Sequence, residues 1–163
     1  MFLAVAPLHA LTINITSFAA QPGNSGQGTI EAWLSTLVTG YNAANNPDLP
    51  APGLELFRQN SGAASPGLPS GFPTFGNDTL SIAIPGGYEY IGLHWGGQGG
   101  GTYEAFYVGG TANVFNAPGK NGLSWYDGFL RTPGTSVPDS GSTLALLAVA
   151  GALMVSLRRK LSR

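Results

Sequence analysis

Ile30, Trp33, Leu34, Leu37, Val38 and Tyr41 recur at i, i+3, i+4, i+7, i+8 and i+11, the spacing of a single helix face. Thr29 is a candidate N-cap and Gly40 a candidate stop, so the pattern predicts one amphipathic helix whose apolar stripe is core. Upstream, Leu11 to Phe18 alternates loosely, with Leu11, Ile13 and Ile15 on one side and Thr12, Asn14 and Thr16 on the other, as in a half-buried strand. Asn42 to Phe75 is dense in Pro, Gly, Asn and Ser and reads as loop, with one short candidate strand at Leu54 to Arg58. From Asp78 onward the period becomes two. Thr79 to Ile84, Tyr88 to Trp95, Thr102 to Val108 and Leu123 to Phe129 are separated by Pro-Gly-Gly, by a six-residue Gly-rich run and by an Asn/Ala/Pro/Gly loop. The fold expected is mainly β: a small antiparallel β-sandwich or meander with one packed amphipathic helix.

The pattern changes again near the C-terminus. Between Leu144 and Leu157 only Gly151 and Ser156 are neither Ala nor larger apolar residues, and Arg158, Arg159 and Lys160 follow at once. A helix apolar on every face has no wet side to show, so it is buried or in lipid. Its five Leu and two Val supply roughly −2 to −4 kcal/mol of insertion free energy. Its 14 residues nevertheless reach only about 21 Å into a hydrocarbon core of about 30 Å. This is a marginal anchor, suited to a segment held briefly and then removed. The basic cluster marks its cytoplasmic end by the positive-inside rule and places the preceding domain outside. A separate C-terminal transmembrane helix is therefore expected after a Pro/Gly/Ser/Thr stalk.

At the other end, Phe2 to Leu8 is apolar and runs into Leu8-His9-Ala10, resembling the back half of a secretory signal peptide without its charged n-region. The alternative is a buried N-terminal strand continuing through Ile15. The division that follows is 1–10 as signal-peptide remnant, 11–131 as β-rich extracellular domain, 132–142 as flexible stalk, and 143–163 as membrane helix with basic tail.

Composition sharpens this picture. Apolar residues make up 43% of the chain and charged ones 9%, which excludes a disordered polyelectrolyte, while 25 Gly and 12 Pro disfavour a helix bundle. Four of the seven basic residues fall in the last six positions, whereas all eight acidic ones precede Ser140. The domain is thus acidic and lacks the basic footprint of a nucleic-acid binder. With no cysteine there is no disulfide framework or thiolate chemistry.

Candidate chemistry is sparse. A hydrolase needs positioned titratable pairs, and His94, Glu89, Glu104 and Asp127 are the candidates, with His94 and Glu104 able to face one another across a hairpin; a solvated cross-strand pair is the commoner outcome of such a placement. No metal-ligand spacing and no cofactor motif is present. Gly96 to Gly101 lacks the lysine and helix of a phosphate loop and reads as a hairpin connection. Flat rings are plentiful, and Trp95 and Trp125 are the candidate glycan contacts, although at least one of them, together with Trp33, is expected in the core.

Val137-Pro138-Asp139-Ser140-Gly141, followed by the short apolar helix and the Arg158-Arg159-Lys160 tail, resembles the VPDSG variant of the PEP-CTERM sorting signal. Pro138 biases Val137 to an extended conformation, and Asp139 to Gly141 keep the chain non-helical, which presents a strand that a protease can bind. The resemblance implies recognition by an exosortase, an intramembrane transpeptidase-like enzyme of Gram-negative bacteria that make extracellular polysaccharide. It therefore implies three partners: that enzyme, the inner membrane transiently, and extracellular polysaccharide. No Leu-Pro-x-Thr-Gly sortase motif is present, and a charged tail is wrong for a glycosylphosphatidylinositol signal. Tyr88 to Trp95, Thr102 to Gly110 and the Gly-Leu-Ser-Trp-Tyr segment at Gly122 to Tyr126 also resemble, more loosely, the small β-rich ectodomains that often accompany such signals. The function expected is that of an exported, non-catalytic surface or matrix protein. Ranked behind it are a surface-displayed carbohydrate-binding module and a glycoside hydrolase.

Overall fold

The computed structural model describes residues 12–46, 48–62, 68–96 and 101–132 of the chain. Along it run β1 (Ile13–Asn14), a 3-10 turn at Thr16–Phe18, α1 (Gln27–Ala44), β2 (Pro52–Asn60), β3 (Ser81–Ile84), β4 (Tyr90–Trp95), β5 (Thr102–Tyr107), β6 (Asn113–Asn116) and β7 (Leu123–Arg131). Among the described residues the strands form a five-stranded antiparallel sheet of order β1-β5-β4-β7-β2 and a separate two-stranded ribbon, β3-β6. The fold is thus mainly antiparallel β with one helix.

β4 lies at the middle of the sheet and is apolar on both sides. Tyr90 belongs to the core shared with α1, whereas Ile91, Leu93 and Trp95 belong to a second core on the opposite face. A strand covered on both faces reads as a continuous apolar run rather than an alternation. The first face is closed by α1 through Ile30, Trp33, Leu34, Leu37 and Val38. The second is closed by Ile82, Ile84 and Phe115 of the ribbon, with Leu68, Phe72 and Phe75 of the preceding loop packed alongside.

That second layer is where the topology departs from a meander. β3 does not join the sheet beside β4. It pairs instead with β6, a segment read from the sequence as loop, in register Ile82↔Phe115. Two asparagines in Asn113–Asn116 conceal the strand, since Asn is depleted in sheets, and only the buried Phe115 carries its packing. β7 returns to the free side of β4 rather than adding beyond β5.

Three other elements are corrected in their bounds. The first expected strand shrinks to Ile13–Asn14 because Thr16 Oγ1 and the Ile15 amide take over the hydrogen bonds to Ala105. The helix starts beyond Gly26 and runs through Gly40 to Ala44. Gly40 is a packing residue rather than a stop, since a Cβ there would lie 2.8 Å from the Phe18 carbonyl oxygen. β2 extends on both sides of Leu54 to Arg58 because it pairs with β7 from Pro52↔Arg131 to Asn60↔Trp125. The antiparallel pairing of β4 with β5 across residues 96–101 agrees with the hairpin reading of the Gly-rich run.

Among the described residues no helix is long and apolar enough to cross a membrane. The expected transmembrane helix, the signal-peptide remnant and all but Thr132 of the stalk lie outside the described residues.

A Cβ on Gly122 would collide with the Asn77 main chain, which cannot yield as a side-chain tip could, whereas one on Gly119 meets nothing within 4 Å. Gly122→Ala is expected to cost about 2–3 kcal/mol in chemical denaturation. Gly119→Ala should stay within about 0.5 kcal/mol of the parent.

Candidate functional site

The polar feature that stands out in the described residues is a charged cluster buried between α1 and the sheet. It is created by an irregularity in β2: Glu55 pairs with Phe129 and Phe57 with Gly128, leaving Leu56 as an extra residue. Such a bulge resets the two-residue alternation. Glu55 and Arg58 consequently face the helix together, while Phe57 joins the opposite core. Arg58 Nη2 donates to Glu55 Oε2 at 2.6 Å and to Asp127 Oδ2 at 3.4 Å, and Nη1 donates to the Ser25 carbonyl. The guanidinium lies 4.2 Å above the Trp125 ring. Trp125 in turn stacks on His94 at 5.5 Å, and His94 lies 4.3 Å from Tyr103. A row of Arg58, Trp125, His94 and Tyr103 thereby crosses β2, β7, β4 and β5 on the helix side.

The helix tightens the cluster from above. Glu31 Oε1 accepts from the Glu55 amide at 2.9 Å and from Gln27 Nε2 at 3.0 Å. Asp127 is fully buried and occupies the space over Gly92, where any side chain would collide with its carboxylate. Burial raises the Asp127 carboxyl well above the ordinary range, the neighbouring Glu55 charge adds to this, and Arg58 opposes both. Burial lowers His94, and the Arg58 charge lowers it further. Neither Glu55 nor Arg58 was singled out from the sequence. The available signal was an ion pair at i, i+3 inside an otherwise apolar strand, and period two would have placed the two on opposite faces.

The hydrolase candidates are not brought together. Glu104 pairs with Leu93, and His94 with Tyr103, so a one-residue offset sets His94 and Glu104 on opposite faces of the sheet. The facing pair considered from the sequence is thus not formed. Glu104 accepts from Trp95 Nε1 at 2.8 Å; burial raises its carboxyl and the Trp95 bond partly offsets this. Glu89 lies at the other end of β4, where its main chain bonds Phe129, Val108 and Gly109. Asp127 has no exposed surface to offer a substrate. The candidate glycan contacts are interior as well: Trp95 is 1% exposed, in the ribbon-side core, and Trp125 is 6% exposed, beneath Arg58. Tyr90 and Tyr126 spend their hydroxyls on the carbonyls of Pro50 and Pro73. Among the described residues no group of three or more His, Asp or Glu could hold a metal ion.

The remaining candidate residues, Val137 to Gly141 with Arg158, Arg159 and Lys160, lie outside the described residues, and for them sequence comparison is informative. Residues 136–161 match a family described as the VPDSG-CTERM motif. The chain carries a sorting signal of the PEP-CTERM type. The match spans the pentapeptide, the apolar segment and the basic residues, and begins four residues after Thr132, the last described residue of the domain. No curated protein and no solved structure matches the chain.

Two outcomes follow for the charged cluster. Arg58→Met leaves the buried carboxyl groups of Glu55 and Asp127 without the cation that faces both and is expected to cost about 3 kcal/mol in chemical denaturation of the full chain in detergent. That is the low end for breaking a buried ion pair, because burial already favours the protonated form of Asp127. Asp127 holds its proton to higher pH when folded than when unfolded, so the parent loses stability as pH rises from the ordinary carboxylate range, about 4, through the raised folded value. Asp127→Asn should therefore gain on the parent between about pH 5 and pH 8, read from denaturation midpoints at the two pH values.

Proposed function

We propose that this chain is an exported, non-catalytic surface protein whose C-terminal segment is the substrate of an exosortase-like enzyme in the inner membrane. The observation that carries the reading is the VPDSG-CTERM match at residues 136–161, immediately beyond a folded, mainly β domain. In this reading Val137 to Gly141 present an extended strand to the enzyme, with Pro138 fixing the backbone. The apolar segment holds the precursor in the bilayer, and Arg158, Arg159 and Lys160 stop transfer on the cytoplasmic side. The ten residues from Pro133 to Ser142 reach at most about 35 Å when extended, so the domain stays close to the membrane until the signal is cut.

The absence of catalysis is part of the proposal. Its support is that the acid–base candidates point to different faces and that Asp127 is sealed from solvent. A carbohydrate-binding role has no comparable support in the placement of Trp95 and Trp125.

Mass spectrometry of the protein from its own host tests the reading directly. The mature form is expected to lack Leu161 to Arg163, and a host without the sorting enzyme should accumulate the uncut chain in its inner membrane. Recovery of the full-length chain from the cytosol of the wild-type host would falsify the export route.

A further inference from the structure

Leu54, Leu56 and Leu130 are exposed by 71%, 52% and 43%, although each belongs to a strand. Leu54 and Leu56 flank Glu55 on β2, and Leu130 falls opposite Gly53 and Leu54, between the pairs Pro52↔Arg131 and Glu55↔Phe129. The three leucines therefore form one patch at the corner of the sheet where Thr132 leaves β7. A contiguous exposed apolar patch marks a contact surface. The bulge at Leu56 leaves this one unguarded, because Glu55 and Arg58, the charges that could protect an outer strand, turn inward to the buried cluster.

We propose that this patch rests on the lipid surface of the membrane that holds the sorting signal, an inference that builds on the sorting reading above. Two observations select lipid over an added protein strand. The first is that the outer edge of β2 is closed to main-chain pairing along this stretch. Pro52 has no amide hydrogen, the Glu55 amide is already bonded to Glu31 Oε1 at 2.9 Å, and register shifts on either side of Glu55 break the edge. What it offers instead is apolar side chains, which a bilayer surface takes up without any register. The second is where the domain ends. Leu130 lies two residues before Thr132, the last described residue, and the matched signal starts at residue 136. The link from Pro133 to Ser142 reaches at most about 35 Å, roughly the diameter of a domain of this size. A tether so short keeps the patch at an effective concentration of order millimolar beside the lipid, so a contact too weak to hold a free protein suffices. The domain is acidic overall, so the attraction is apolar rather than ionic. Docking brings Thr132 to the interface, and the link to the signal then need not cross bulk water.

The chain contains no cysteine, so a single introduced cysteine can carry an environment-sensitive fluorophore. The full-length chain is reconstituted into phosphatidylethanolamine–phosphatidylglycerol vesicles in which some lipids bear a nitroxide quencher at the top of the acyl chain. Leu54→Cys, Leu56→Cys and Leu130→Cys are the test sites. Leu80→Cys is the control: it is 51% exposed but follows Thr79, whose carbonyl accepts from the Leu123 amide at the far end of β7, about 26 Å from Arg131. Quenching at the three test sites is expected to exceed that at the control at least about threefold, because a docked side chain lies at the depth of the quencher. Adding Leu54→Ser and Leu56→Ser should bring Leu130→Cys down to the control, and both positions are exposed enough for the fold to survive the change. Equal quenching at test and control sites, in a chain that sediments with the vesicles, overturns the docking and leaves the sorting reading standing. A chain that does not sediment with them overturns both. Test sites that are shielded without quenching, in step with the protein-to-lipid ratio, assign the leucines to a second copy and overturn the docking as well.

Discussion

The structure depends on a single strand that is apolar on both sides. β4 sends Tyr90 into one core and Ile91, Leu93 and Trp95 into another, so the sheet it centres must be covered twice. A helix alone satisfies one face. The ribbon β3-β6 exists to satisfy the other, and this is why two segments that would otherwise extend the sheet are drawn out of it. Each buried side chain of this size is worth roughly 1.5–3 kcal/mol, which outweighs the hydrogen-bonding continuity lost by splitting the strands between two sheets.

Placing a helix on a sheet normally calls for a dry interface, and here it contains a charged cluster. The bulge at Leu56 turns Glu55 and Arg58 inward together, and Gly92 leaves the room that Asp127 fills. One cation held by two carboxylates, a carbonyl and an indole face has its charge nearly satisfied in place. Such networks are costly to bury and most costly to break by halves. The cluster ties α1, β2 and β7 together at the sheet margin from which the C-terminal segment departs. β7 itself is hydrogen-bonded to β4 on one side and β2 on the other, so the sorting signal is attached to an inner strand rather than to a fraying edge.

How much of this could be read beforehand differs by element. The stripe from Ile30 to Val38 was legible because its period matches a helix, and those five residues are buried as read. The strands β4, β5 and β7 were legible from aromatic and β-branched runs between glycine loops. β6 was not, because Asn113 and Asn116 mask a single buried Phe115. His94 and Glu104 were placed opposite one another from hairpin spacing alone, and a shift of one residue in register separated them by the thickness of the sheet.

By itself, the sequence determined the mainly β class, the helix and the sorting signal. Each of these is written in neighbouring residues, as a local period or as a contiguous motif. Tertiary structure decided which strands leave the sheet, where the bulge falls, which carboxylates meet Arg58 and that Trp95 and Trp125 turn inward. These outcomes depend on which surfaces find each other across long loops, and no local pattern encodes a register between segments tens of residues apart.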